Sequence, residues 1–217
     1  MLRILAAAVL AISMTLPATG QNRDQALIAA AGTGDLAGVE RLIREGASVA
    51  ARDNRGRTAL LAATRGNHVA AARALIAAGA DVNARDDIQD SPFLYAGAEG
   101  RIDILKMTLP AADLKSTNRY GGTALIPAAH HGHTEAVRIL LGTAIDKDHV
   151  NRLGWTALLE AVILGDGGPV HTEIVRLLVE AGANVSIADK DGVPPLAHAR
   201  RRGFIGMTRI LEARGEK

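Results

Sequence analysis

Cysteine is absent from the 217 residues. Disulfides, thiolate zinc sites and cysteine nucleophiles are therefore excluded outright. Aromatic residues are scarce, at 2%. A single-core globule usually leans on Phe, Tyr and Trp for volume. A chain that is 48% hydrophobic with so few of them leans instead on Ala and Leu, which suits small, closely packed helices. No charge of one sign dominates: 25 Lys plus Arg stand against 23 Asp plus Glu, a formal net charge of +2. That balance predicts no nucleic-acid partner and no pull towards an anionic membrane. Apolar runs of membrane-spanning length are missing beyond the first 20 residues, so the remainder is expected to be soluble and not stably inserted in a membrane.

What stands at the start is a short targeting pattern. Arg3 supplies a positive charge, residues 4–12 read ILAAAVLAI, and Met14 and Leu16 continue the uncharged run until Pro17. Ala18-Thr19-Gly20 then offers small residues at a cleavage site. Residues 1–20 are thus expected to be a secretory signal peptide, cut before Gln21. A retained anchor is the alternative, although the run falls short of the roughly 20 apolar residues a span needs. An Ala-, Gly- and Arg-rich composition with a simple signal suggests a bacterium, and so a periplasmic or secreted protein.

The rest of the chain repeats itself. The segment beginning at Thr58, TALLAATRGNHVAAARALIAAGADVNARD, returns in frame at Ser91, Thr123 and Thr156, with degenerate copies opening at Gln25 and Pro194. Successive starts are 33, 33, 32, 33 and 38 residues apart. The last spacing becomes 33 if residues 166–170 (DGGPV) are an insertion. A fixed period of this length is the signature of stacked units that cannot bury an apolar face alone. Each unit reads as two helices. Thr or Ser caps the first, and Pro92 and Pro195 suit its first position. Gly100, Gly132, Gly165 and Gly203 end it. The second helix closes at Gly46, Gly79 or Gly182, where a left-handed residue is needed. An Asp/Asn-rich turn carrying Gly56, Gly121, Gly154 or Gly192 leads to the next copy.

With GADVNARD and GWTALLEA on view, the frame resembles the ankyrin repeat, over residues 24–215. The resemblance implies an all-α solenoid of about six stacked helix-turn-helix units joined by β-turn fingers. It implies a protein-binding role, with no catalytic residues and no cofactor.

The chain departs from that pattern in places. The family's His, fourth in the opening motif, is replaced by Leu61, Leu94, Ile126, Leu159 and Ala197, so a family hydrogen bond is missing. Repeat 3 closes through Pro110, Ala111 and Ala112 without glycine. Repeat 4 has Ala144 at the closing position and Lys147 where an apolar residue is expected. A left-handed non-glycine residue costs about 1–2 kcal/mol and a proline inside a helix about 3 kcal/mol. The middle of the array is expected to be its weak joint, and the second helix of repeat 3 the shortest.

Candidate chemistry is sparse. His130, His131 and His133 form the run HHGH, yet no neighbouring carboxylate in the sequence completes a motif such as H-E-x-x-H. The run at residues 165–169 (GDGGP) lacks a serine nucleophile and reads as a surface loop between helices. Arg200, Arg201 and Arg202 read as a solvated terminal cap.

The positions not needed for stacking are the finger tips and the ends of the first helices. In repeats 4 and 5 these are Tyr120, His130, His131, Leu153, Trp155, Ile163 and Leu164. Exposed apolar and aromatic residues gathered on one face mark a partner-binding patch. Trp155 and Tyr120 are equally compatible with packing against a neighbouring finger. The expected function is a monomeric, exported protein-interaction module with a partner in the cell envelope. The alternative is a small-ligand or metal-dependent enzyme using the three histidines and the 166–170 loop.

Overall fold

The computed structural model describes residues 18–215; the expected signal peptide lies outside the described residues except for Ala18 to Gly20. Among the described residues there are helices and turns but no strand. Six helix pairs follow one another: α1 (Ala18–Thr33) and α2 (Leu36–Arg44), α3 (Ala59–Arg65) and α4 (Val69–Ala77), α5 (Pro92–Ala98) and α6 (Ile102–Thr108), α7 (Leu125–His130) and α8 (Thr134–Leu141), α9 (Ala157–Ile163) and α10 (Pro169–Glu180), α11 (Pro195–Arg201) and α12 (Ile205–Gly215). Odd-numbered helices pack on odd and even on even, giving an inner and an outer layer.

Leu27, Leu60, Phe93, Leu125 and Leu158, one from each of the first five repeats, form a fully buried ladder in the inner layer. Leu42, Leu75, Leu140, Leu178 and Leu211 do the same in the outer layer. Neither ladder is complete within one unit, so burial there couples neighbouring repeats. The residues in place of the family histidine serve the same end. Leu61, Leu94, Ile126 and Leu159 are all buried, so apolar contact stands where a hydrogen bond would.

Helix starts follow the capping expectation in three repeats. The hydroxyls of Thr58, Ser91 and Thr156 accept from the backbone N–H of Leu61, Leu94 and Leu159 at 3.3, 3.2 and 3.2 Å. Repeat 4 departs from it. There Thr123 is buried, its Oγ1 has no partner, and α7 begins only at Leu125.

The middle of the array also closes without the left-handed strain that its missing glycines implied. Among the described residues, the positive-φ non-glycines are Asn67 and Gln89, neither of them at a closing turn. In repeat 3, α6 has seven residues and runs into a 3₁₀ turn, Leu109–Ala111, that holds Pro110 near its start. Ala112 is extended, with φ −74°. The tighter winding of a 3₁₀ turn advances further per residue, which absorbs the one residue by which repeat 3 is short. In repeat 4 a side chain does the work of the glycine. Thr143 Oγ1 donates to Leu140 O at 2.6 Å and accepts from Ile145 N at 3.2 Å.

The insertion is likewise less of a loop than expected. Pro169 and Val170 begin α10, which reaches twelve residues. Gly167, not Gly165, takes the left-handed conformation. Asp166 Oδ1 accepts from Gly168 N at 2.9 Å and lies 3.0 Å from His171 Nδ1, which pins the remaining turn.

The shortness of α6, the least long of the second helices, has a measurable consequence. Amides between residues 106 and 117 are expected to exchange faster than those between residues 175 and 180 in α10. Hydrogen–deuterium exchange on the native protein tests this; equal protection in both segments would contradict it.

Candidate partner-binding groove

The fingers share one local design. The first residue of each is Asp or Asn, and its Oδ1 accepts from the backbone N–H groups two and four residues on. Asn118 accepts from Tyr120 and Gly122 at 2.9 and 3.0 Å, and Asn151 from Leu153 and Trp155 at 2.9 and 3.0 Å. Asp53, Asp86 and Asp189 repeat the pattern. Such a turn throws the third residue outward. Those third residues are Arg55, Ile88, Tyr120, Leu153 and Asp191, so three apolar tips stand between two charged ones. The tips of repeats 4 and 5 are tied side by side, Arg152 N donating to Tyr120 O at 2.9 Å.

Between these tips and the inner helices lies a groove of about 550 Å³. Ile88, Tyr120 and Leu153 form its finger wall; Tyr95, Pro127, His130, His131, Glu160 and Leu164 form much of the helix wall. Seven large apolar side chains are exposed among the described residues, and four of them, Ile88 (44%), Tyr120 (52%), Leu153 (47%) and Leu164 (41%), line this groove.

Of the seven residues expected from sequence, the groove brings together Tyr120, His130, His131, Leu153 and Leu164. Trp155 and Ile163 are half-buried and lie outside its lining. Sequence reading missed Ile88, Tyr95 and Arg65. The finger of Ile88 carries Gln89 in the left-handed position where four others have glycine, so its turn went unrecognised. Its initial Asp86 was the signal that could have found it.

Charge in the groove is paired. The Arg65 guanidinium lies 4.7 Å from the centre of the Tyr95 ring and 3.3 Å from Asp90 Oδ2. Arg119 stacks similarly on Tyr120 at 4.8 Å. Burial, reinforced by Asp86, pushes the Asp90 carboxyl above its ordinary range, against the pull of Arg65. Burial pushes Glu160 up as well, opposed by a 2.8 Å hydrogen bond from Asn151 Nδ2. His130 Nδ1 sits 3.7 Å from Glu160 Oε2, but burial, then His131 and His171, hold the imidazole below its ordinary value. Desolvation thus works against ionising either member of that pair.

The sign of the Glu160 shift makes a prediction. A carboxyl raised on folding carries a penalty when ionised, and that penalty vanishes once pH falls below the unfolded value of about 4.5. Glu160→Gln keeps the acceptor for Asn151 and removes the charge. It is expected to raise the thermal midpoint at pH 7, with the gain shrinking towards pH 4.5 and below. A gain independent of pH would refute this origin.

The histidine run is divided by the fold. His130 and His131 have ring centres 4.8 Å apart, and His131 and His133 5.9 Å. Among the described residues, the group with metal-ligand proximity is Glu99, His131 and His133, one ligand atom of each within 4.8 Å of the others. His130 is not part of it. Burial and then His131 depress His133, and Glu99 opposes them. The basic run at the C-terminal end is used within the fold: Arg200 pairs with Glu212 at 2.7 Å, and Arg202 donates to the carbonyl of Ile163.

Stacked helix pairs with an open groove between fingers and inner helices define a repeat scaffold built for protein binding. The ankyrin-repeat family model matches residues 6–86 and 93–189; the chain belongs to the ankyrin-repeat family, whose repeats are protein–protein interaction modules and generally not enzymes. An ankyrin repeat domain from Acinetobacter baumannii AYE is 55% identical, with a TM-score of 0.85, over 87% of this chain and 97% of that one. The ankyrin repeat protein EF0377 is 42% identical, with a TM-score of 0.84 and the same coverage. Among curated relatives, the putative ankyrin repeat protein YahD of Escherichia coli K12 is 42% identical over 127 residues, 58% of this chain and 63% of that protein. The chain thus spans less than two thirds of that relative's length.

Proposed function

We propose that this protein is an exported, non-enzymatic interaction module that holds a protein partner in the groove of repeats 3 to 5. The observation that carries the reading is the convergence of Ile88, Tyr120, Leu153 and Leu164 on one concave site, while the flanking fingers end in Arg55 and Asp191. An apolar centre with a polar rim is the composition of a recognition patch. The groove's ionisable groups support binding over catalysis, since Asp90, Glu160 and His131 are each engaged with Arg65, Asn151 or the Ala98 carbonyl. Export rests on the charged start, apolar run and small-residue site of residues 1–20, and a partner in the envelope follows from export; the monomeric state is part of the same proposal. Cleavage would leave α1 running from Gln21 to Thr33. N-terminal sequencing of the protein from a periplasmic fraction is expected to begin at Gln21. An intact Met1 in the cytoplasm would sink the export reading. Crosslinking in that fraction, followed by mass spectrometry, tests for the partner.

A further inference from the structure

Two histidines set a rule that a third breaks. His68, the residue before α4, places Nε2 3.0 Å from Gly32 O. His171, near the start of α10, places Nε2 2.9 Å from His130 O. Each imidazole therefore bonds a carbonyl at the end of the inner helix of the preceding repeat, two residues before left-handed Gly34 or Gly132. His133 stands before α8 and packs over left-handed Gly100, so its counterpart carbonyl is that of Ala98. That carbonyl is already taken by His131 Nδ1 at 2.8 Å. His133 is left half-buried with no hydrogen bond to its ring, and Glu99 comes up beside both imidazoles.

We propose that Glu99, His131 and His133 form a binding site for a divalent transition metal of the zinc class. The donor set is two imidazoles and one carboxylate, which suits zinc, cobalt, nickel or copper over calcium or magnesium. The bond from His131 Nδ1 to the Ala98 carbonyl is the outer contact that orients a ligating imidazole and leaves Nε2 as its lone-pair nitrogen; Glu99 Oε1, now 3.9 Å from Nδ1, has to swing to the Nε2 side to share a metal with it. Ligand atoms spread over 4.8 Å have to close by roughly 1 Å to reach metal bonds of about 2.0–2.2 Å. Side-chain rotation suffices for that, since Glu99, His131 and His133 are all at least partly exposed at helix ends. Three protein ligands leave a coordination position open. Glu99 and His131 also line the groove, so that position lies at its edge. Arg101, close enough to bear on His133, is a cation that weakens the site without blocking it.

The site is tested by titrating Zn²⁺ into untagged purified protein by calorimetry, and Co²⁺ with visible absorption. One saturable equivalent is expected, with cobalt bands of low coordination number. Glu99→Gln and His133→Ala are each expected to weaken binding about tenfold or more, while His130→Ala leaves it within about twofold. Circular dichroism shows that each variant is folded; if His133→Ala is not, half-exposed Glu99→Gln decides alone. Absence of saturable binding for both ions, or binding that survives Glu99→Gln, or an equal loss in His130→Ala, overturns the proposal. None of these outcomes depends on the partner reading.

Discussion

Phe93→Ala is expected to cost about 3–5 kcal/mol of stability, the largest effect of any single truncation in the array. Phe93 is fully buried, is the one aromatic residue in the core of the described residues, and occupies the ladder position between Leu60 and Leu125. Truncation leaves a cavity in an inner layer whose other buried residues include small ones such as Ala96 and Ala124, with little volume to fill it. Location magnifies the effect. Repeat 3 already has the shortest second helix, and it spends a leucine position on Thr108, whose hydroxyl turns back to Leu105 O at 3.0 Å. In a stack held by nearest-neighbour contacts, a weak central unit uncouples the two ends. Urea unfolding followed by circular dichroism is therefore expected to lose its single transition and become broad or two-stepped. Leu60→Ala is the control: it should cost about 2–5 kcal/mol with less broadening. A loss under about 1.5 kcal/mol for Phe93→Ala, or an unchanged sharp transition, would show that repeat 3 is not the joint.

Tyr120→Ala is expected to weaken capture of the protein partner by about 2 kcal/mol, close to thirtyfold in Kd. Tyr120 is the middle of the three apolar finger tips and half of its surface is open to solvent. Arg119 stacks on one side of its ring, which limits the rotamer freedom lost on binding. Being exposed, it should leave the thermal midpoint nearly unchanged. Trp155→Ala gives the contrast. Trp155 is half-buried outside the groove lining, in the finger that Asn151 organises, so its truncation is expected to lower stability more than binding. Affinity of the crosslinked partner for each purified variant, measured beside thermal melts, separates the two. Normal binding by Tyr120→Ala would remove the groove from the proposal. Lost binding with an unchanged midpoint for Trp155→Ala would place the patch further round the finger that Asn151 opens.

Much of this was readable in the chain because each repeat is a local object. A helix cap is decided within three residues, as at Ser91 and Leu94, and a finger within five, as from Asn118 to Gly122. The period then places Tyr120 and Leu153 on one surface without further information. Ile88 escaped because its finger lacks the glycine that marks the others. Thr123 misled because a capping residue type guarantees nothing once the helix starts late.

The sequence by itself determined the repeat, the number of units, the inward apolar ladders and the family, since all of these follow from spacing along the chain. Tertiary structure decided what spacing cannot express. Whether a missing glycine is met by strain, by a tighter 3₁₀ turn or by the Thr143 hydroxyl depends on the room each closing turn has. Which imidazole reaches the Ala98 carbonyl is a competition between two residues for a single acceptor, settled by side-chain rotation. Glu99 joins His131 and His133 only because stacking brings helix ends some 32 residues apart into contact. Contacts across the stack are set by rotamers and packing, and one-dimensional order carries no record of them.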